Sequence, residues 1–572
     1  MKKLLPFLKP YRVYAVIAPL FKFLEAVFEL LVPVIMAEVI DVGVKNNDKE
    51  YILLRGLLLA ALGLIGLVCS LTAQFFSAKA AMGFGKDLRN ALFDHVLTLP
   101  RQETDKTGSA ALISRITSDV DQVQSGVNLF LRLFLRTPFI VLGAIVMAML
   151  IDLKMSLIFL IVSFLIGLVI FLVVKGSMPI NAAIRSTFDK LTRKTRENLT
   201  GVRVIRAFSR EEEEKEELFG VNEGMLTLQL RRSRLDSLLN PLTYVILNLA
   251  VVAVLMTGSV RVNIGELTQG EVIAMVNYLT KILIAIVAMA NFIIVMAKAV
   301  TSASRIETVF EAKDTMPRAG TEKEKKDESV VLSAENLSFR YHEAGGNALD
   351  KIGFSLGKGE SLGIIGGTGA GKTTLLCLID RFFDPESGRI LLYGNDLKEI
   401  PDDVLKKEIV LVSQKASLFS GTIRDNLSLG NPDADEETLI DCLKKAEAWE
   451  FVEPLGLDGM LTEGGANLSG GQKQRLSIAR ALAANPGILL LDDSFSALDF
   501  ATEAKVRASL LSLKDRLVPI IVAQRLSSVA DCDKILFLDD GRQIAFGTHA
   551  ELFASCPQYR LLCEMQSKKE VG

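Results

Sequence analysis

The sequence predicts two joined parts: an all-α membrane domain of six helices, then an α/β domain built around a glycine-rich phosphate loop. Three observations carry this. Long apolar windows recur up to about residue 300, a charged stretch follows at 311–328, and beyond it short β-rich runs alternate with helical ones. A chain of 572 residues exceeds one compact core, and 50% hydrophobic with 23% charged residues suits a membrane half joined to a polar half.

The apolar windows fall at 13–40, 53–76, 129–151, 155–177, 238–260 and 274–299, each near the roughly 20 residues that cross a bilayer. The basic start, with Lys2, Lys3, Lys9 and Arg12, leads into an apolar run too long for a cleaved leader and without a clear cleavage site, so it reads as the first span. Lys and Arg concentrate at the amino terminus and in 77–128 and 178–235, which the positive-inside rule places in the cytosol. The short connections at 44–52, 152–154 and 261–270 then face outward. Spaced apolar residues in the two long cytosolic segments predict helices that extend well beyond the membrane.

Inside the first window, Lys22, Glu25 and Glu29 stand three and four residues apart. They can neutralise one another along one helix face, or face a water-filled cavity; the spacing leaves both open. Arg132 and Arg136 are expected toward the cytosolic end of the third span, with no specific role. The stretch 311–328 is nearly free of large apolar residues and reads as a linker, which sets domains at 1–310 and 329–572. The net charge of −2 offers no basic footprint, so no nucleic-acid partner is expected. Cys69, Cys377, Cys442, Cys532, Cys556 and Cys563 have no metal-ligand spacing and read as free thiols in a reducing compartment.

The run GGTGAGKT, comprising Gly366, Gly367, Thr368, Gly369, Ala370, Gly371, Lys372 and Thr373, follows the strand-like SLGIIG and precedes a helical stretch that begins at Thr374. This is the context a P-loop requires: backbone N–H groups close around phosphate oxygens at a helix amino terminus. Lys372 reaches the β- and γ-phosphates of ATP, and Thr373 offers its hydroxyl to Mg²⁺. ILLLDD at 488–493 supplies a buried strand that ends in Asp492, a suitable metal-linked carboxylate. Between them lies LSGGQ, with Ser469, Gly470, Gly471 and Gln472 opening another helix. A chain with its own phosphate cradle has no local use for a second, so this motif suits a nucleotide held by a partner subunit.

Taken together, these motifs resemble the nucleotide-binding domain of the ABC transporter family, an α/β P-loop NTPase, and the six spans resemble an exporter-type half-transporter. The resemblance covers essentially the whole chain. It implies that Tyr341 in SFRY stacks on adenine, that Gln414 touches Mg²⁺ and senses the membrane half, that TEGG at 462–465 occupies a coupling loop, and that SALD at 496–499 crosses a dimer interface. Two segments, DKTGSAALISRITSDVDQVQ and ENLTGVRVIRAFSREEEE, are similar to the family's intracellular loops, whose tips transmit nucleotide-driven motion.

Two positions depart from the pattern. The family places Glu after the aspartate of the second motif, and this chain has Asp493, shorter by one methylene; a displacement of about 1 Å can cost about a hundredfold in rate. The switch histidine is replaced by Gln524 in IVAQRLSS, which hydrogen-bonds but carries no proton toward a phosphate. None of the three histidines, His95, His342 and His549, occupies that position. The resemblance is therefore to the subunit of a heterodimeric bacterial multidrug exporter whose own site holds ATP but cleaves it slowly. It implies a multi-pass protein of the cytoplasmic (inner) membrane with a cytosolic ATPase domain, a second half-transporter as partner, and amphipathic drugs, lipids or peptides as substrates. A homodimeric exporter with slow hydrolysis, or an ATP-gated regulator or channel, are the alternatives.

Overall fold

The computed structural model describes residues 2–312, 329–341 and 345–570; most of the expected linker, 313–328, and His342 lie outside the described residues. The described residues form two compact units, one from 2–97 with 108–312, the other from 98–107 with those from 329 onward.

The first unit is helical. Its long helices are α1 (Arg12–Glu38), α2 (Lys49–Thr98), α4 (Val120–Leu133), α5 (Arg136–Ile151), α6 (Leu153–Thr200), α7 (Glu211–Asn263) and α8 (Gln269–Glu311); the short α3 (Arg101–Thr107) packs with the second unit. At about 1.5 Å per residue, helices of 48 to 53 residues such as α6 and α7 run some 70–80 Å, far beyond the ~30 Å hydrocarbon layer. The predicted cytosolic segments are thus extensions of the same helices. Starts are locally encoded: Asp152 accepts from Met155 N at 2.7 Å ahead of α6, and Thr268 with Glu271 forms a capping box at α8.

Among the described residues, five helical segments are long and apolar enough to cross a membrane: Lys49–Thr98, Ser109–Ile151, Leu153–Thr200, Glu211–Asn263 and Gln269–Glu311. α1, expected as the first span, is 27 residues long but carries Lys22, Glu25 and Glu29, which keep it outside that set. The third expected span, 129–151, is not one helix. It breaks at Phe134 and Leu135, because Pro138 has no N–H to continue the ladder and its ring crowds the carbonyl four residues back.

Among the described residues, the second unit holds a ten-stranded sheet and a two-stranded one. Its strands are β1 (Val330–Phe339), β2 (Leu349–Gly357), β3 (Leu362–Gly366), β4 (Ser387–Leu392), β5 (Asn395–Asp396), β6 (Ile409–Val412), β7 (Gly421–Thr422), β8 (Met460–Leu461), β9 (Ile488–Asp492), β10 (Val518–Ala523), β11 (Lys534–Asp539) and β12 (Arg542–Gly547). The large sheet runs β5-β4-β1-β2-β12-β11-β3-β10-β9-β6. The expectation of a largely parallel sheet holds for β11, β3, β10, β9 and β6, whereas β4, β1 and β2 pair antiparallel. The parallel strands β3, β9 and β10 are buried throughout, which is why they read as unbroken aliphatic runs rather than alternating ones. Two apolar cores cover the faces, with Leu489 and Leu491 on one side of β9 and Ile488 and Leu490 on the other.

Candidate nucleotide site

Four parallel strands place the site. Val522 of β10 lies opposite Asp492 of β9, Ala523 opposite Ile365 of β3, and Val412 of β6 opposite Leu491 of β9, so the strands end at one level. The residues just past those ends, Gly367, Gln414, Asp493 and Gln524, therefore converge from four loops. Crevices beyond the carboxyl ends of parallel strands are where ligands bind in such sheets.

The P-loop leaves β3 at Gly366 and enters α9 (Lys372–Ile379). Gly369 (φ 85°) and Gly371 (φ 92°) adopt the left-handed region, which a side chain disfavours; a Cβ on Gly371 would also meet Leu349 Cδ2 at 2.6 Å. Lys372 is buried, and its ammonium donates to the carbonyls of Gly366 (2.9 Å) and Gly367 (2.7 Å). Burial lowers its pKa, while Asp493 and Asp492 pull the other way. Thr373 Oγ1 donates to Asp492 Oδ1 at 3.0 Å, so the hydroxyl and carboxylate expected around Mg²⁺ already adjoin. Burial raises the Asp492 carboxyl, the Thr373 hydrogen bond opposing it.

Asp493 sits at φ 46°, a left-handed position that Asp tolerates better than most residues, with its N–H donating to Val522 O at 3.0 Å. Its Oδ2 receives two side-chain amides, Gln414 Nε2 and Gln524 Nε2, each at 3.1 Å. Burial raises its pKa, opposed by Gln414, Lys372 and Gln524. A cavity of about 390 Å³ is lined by Thr368–Thr374, Gln414, Asp492, Asp493 and Gln524 together with Tyr341. The Tyr341 ring stands edge-on to Phe339 and Phe383, and its hydroxyl lies 3.1 Å from Thr374 Oγ1.

Ser469, Gly470, Gly471 and Gln472 do not line this cavity. They open α10 (Gly470–Ala483), where Ser469 Oγ accepts from Gln472 N at 3.3 Å and Gln472 Oε1 accepts from Ser469 N at 2.9 Å. Ser469 and Gly470 are exposed, leaving the helix end open to a ligand from outside. Sequence reasoning missed Glu503 of α11 (Phe500–Leu511). It is buried, accepts a short hydrogen bond from Ser528 and lies 3.8 Å from Arg525, so it holds the segment that carries Gln524. The only hint in the sequence was the i,i+4 pair it forms with Arg507. All six cysteines are free and buried.

A P-loop, an adjoining Thr–Asp pair, and a second phosphate-type helix end outside the P-loop cavity define a P-loop nucleotide-binding domain, here joined to long apolar helices. The chain belongs to the ABC transporter family: residues 15–287 match the model of the ABC transporter transmembrane region and 349–496 the ABC transporter model. It is 32% identical, over 100% of this chain and 99% of the relative, to an uncharacterized ABC transporter ATP-binding protein of Bacillus subtilis. It is also 32% identical to one of Mycobacterium tuberculosis, over 98% of this chain and 97% of the relative. An ATP-dependent lipid A-core flippase of Hahella chejuensis is 30% identical over 99% of this chain and 96% of its own length. The chain is thus homologous to exporter-type half-transporters, with an ATP-binding domain of the kind that drives transport.

Proposed function

We propose that the chain is one half of a heterodimeric exporter in the cytoplasmic membrane, with domains at 1–310 and 329–572 and the ATPase domain in the cytosol. Its own site retains ATP and Mg²⁺ through Tyr341, the P-loop from Gly366 to Thr374, Gln414 and Asp492, yet splits ATP slowly. The observation that carries this is Asp493, which stands where the family has Glu and is clasped through one oxygen by Gln414 and Gln524. A carboxylate shorter by a methylene and held by two amides is poorly placed to orient a water, and an amide at the switch position transfers no proton. Ser469–Gln472, exposed at Ser469 and Gly470 and outside the P-loop cavity, would complete the partner's site.

ATP binding closes the two nucleotide domains and biases the membrane halves outward, because the closed arrangement binds ATP more favourably. Hydrolysis at the partner's site resets the pair. The substrate class is amphipathic, in keeping with relatives named for lipid A-core flipping. One observation favours a second reading, a homodimer with slow hydrolysis at both sites: burial raises the Asp493 carboxyl, as suits a general base. ATPase assays decide between them. The chain purified alone is expected to turn over little ATP and the coexpressed pair to turn over briskly; robust turnover by the chain alone would establish the homodimer instead.

A further inference from the structure

The first helix brings its charges to a place the sequence alone did not indicate. Lys22, 5% exposed, donates to Glu25 Oε2 at 2.5 Å and to Ser70 Oγ of α2 at 3.0 Å. Arg136, the first residue of α5 beyond the break, pairs with Glu29 at 2.9 Å and approaches Glu25 at 3.7 Å. Lys281 of α8 reaches the other oxygen of Glu29 at 3.0 Å. Three helices, α1, α5 and α8, thus supply the ions of one network, and α2 adds the Ser70 hydroxyl. The sequence-based expectation that Arg136 has no specific role gives way, since it bridges both carboxylates.

The network does not balance. Three cations, Lys22, Arg136 and Lys281, face two carboxylates, Glu25 and Glu29, leaving one positive charge over. In a low-dielectric layer an uncompensated charge is expensive, so a surplus cation calls for an anion. Donor capacity is unspent as well: the buried Nε of Arg132 and Thr137 Oγ1 have no hydrogen-bond partner among the described residues, and the buried Nε of Arg136 has only the 3.7 Å ion-pair contact with Glu25. Thr137 is 1% exposed and occupies the first turn of α5, whose amino-terminal dipole end also favours negative charge. Side-chain exposure runs from 6% at Lys22 to 33% at Glu29, so the network is closed around Lys22 and more open at Glu29. Phe23, next to Lys22 in sequence, and Phe139, three residues past Arg136, pack ring to ring at 4.3 Å, which puts apolar surface on the same two helices.

We propose that this network is a binding site for the acidic head group of an anionic amphipath, with Arg136 and Lys281 as its direct partners. Glu29 bridges those two cations in the absence of ligand and competes with the acid for them. The head group would exchange one ion pair for another while its apolar tail lies along Phe23 and Phe139. This deepens the export reading, on which its meaning as a substrate site rests.

The test is a fluorescence titration of the full chain in phosphatidylcholine nanodiscs with dansylaminoundecanoate, against its neutral methyl ester. The acid is expected to bind saturably and the ester about tenfold or more weaker, as for loss of a charged hydrogen bond. Arg136→Gln should weaken the acid by a similar factor and leave the ester unchanged. Glu29→Gln should tighten the acid severalfold, whereas a purely structural network would lose binding with either substitution. Equal affinity for acid and ester, or weaker acid binding by Glu29→Gln, would overturn the proposal. The titration needs neither ATP nor a partner chain, so absence of ATP-driven transport in vesicles would count against export alone.

Discussion

Asp493 is one methylene shorter than glutamate, and Gln414 and Gln524 both hold its Oδ2. With Asp493→Glu and Gln524→His introduced together, the carboxylate regains reach and the switch regains a titrating ring. ATP turnover attributable to this chain's site is expected to rise, by up to about a hundredfold if reach is the main deficit. No change in the ATPase rate of a pair whose other site is silenced would contradict this. Lys372 supplies a complementary prediction. Its ammonium is held by the carbonyls of Gly366 and Gly367 and must turn from them to meet a phosphate. Lys372→Ala removes a charged donor worth about 1.5–3 kcal/mol, so nucleotide affinity should fall roughly tenfold to a hundredfold in an ATP-analogue titration.

At the scale of elements, β9 and α9 carry the clearest consequences. Leu490 is fully buried in the middle of β9, so Leu490→Ala should destabilise the nucleotide-binding unit by about 2–5 kcal/mol, read as a lowered unfolding temperature. Asp380, just past the end of α9, keeps part of its surface in water, yet burial pushes its pKa from 3.8 up to about 7, opposed by Lys406 and Arg101. The folded state therefore keeps a proton that the unfolded state releases. The resulting stability is fully present below the unfolded value and is lost as pH rises to about 7. Thermal unfolding should fall over that window, and Asp380→Asn should flatten the slope. Ser469→Ala, which removes the α10 cap, should cost about 1 kcal/mol and reduce turnover of the coexpressed pair while leaving ATP binding at this chain's own P-loop unchanged.

For the whole molecule, the expectation is a pair. Coexpression with a second half-transporter should yield a stable complex in which only one nucleotide exchanges quickly, measured by release of labelled ATP under turnover. Equal release from both sites would argue for two equivalent halves. ATP-dependent accumulation of substrate in inverted vesicles against its gradient separates a pump from a gated channel, which cannot perform it.

The sequence alone determined the class of the molecule, because the signals involved are local. A run of some 20 apolar residues suffices to cross a bilayer, and a P-loop is a contiguous cradle of N–H groups, so both survive without knowledge of the fold. Substitutions such as Asp493 and Gln524 were legible because each lies inside a motif. Tertiary structure decided what those residues do to one another. Gln414 and Gln524, 79 and 31 residues from Asp493 along the chain, meet at one of its oxygens only because β6, β9 and β10 end at one level. The membrane charges follow the same rule. Lys22, Glu25 and Glu29 could have cancelled along one helix face, and only the packing of α1 against α2, α5 and α8 shows that Arg136 and Lys281 join them and leave a positive charge unmatched. Sequence spacing reports neighbours along a helix, whereas charge balance in a bilayer is settled across helices.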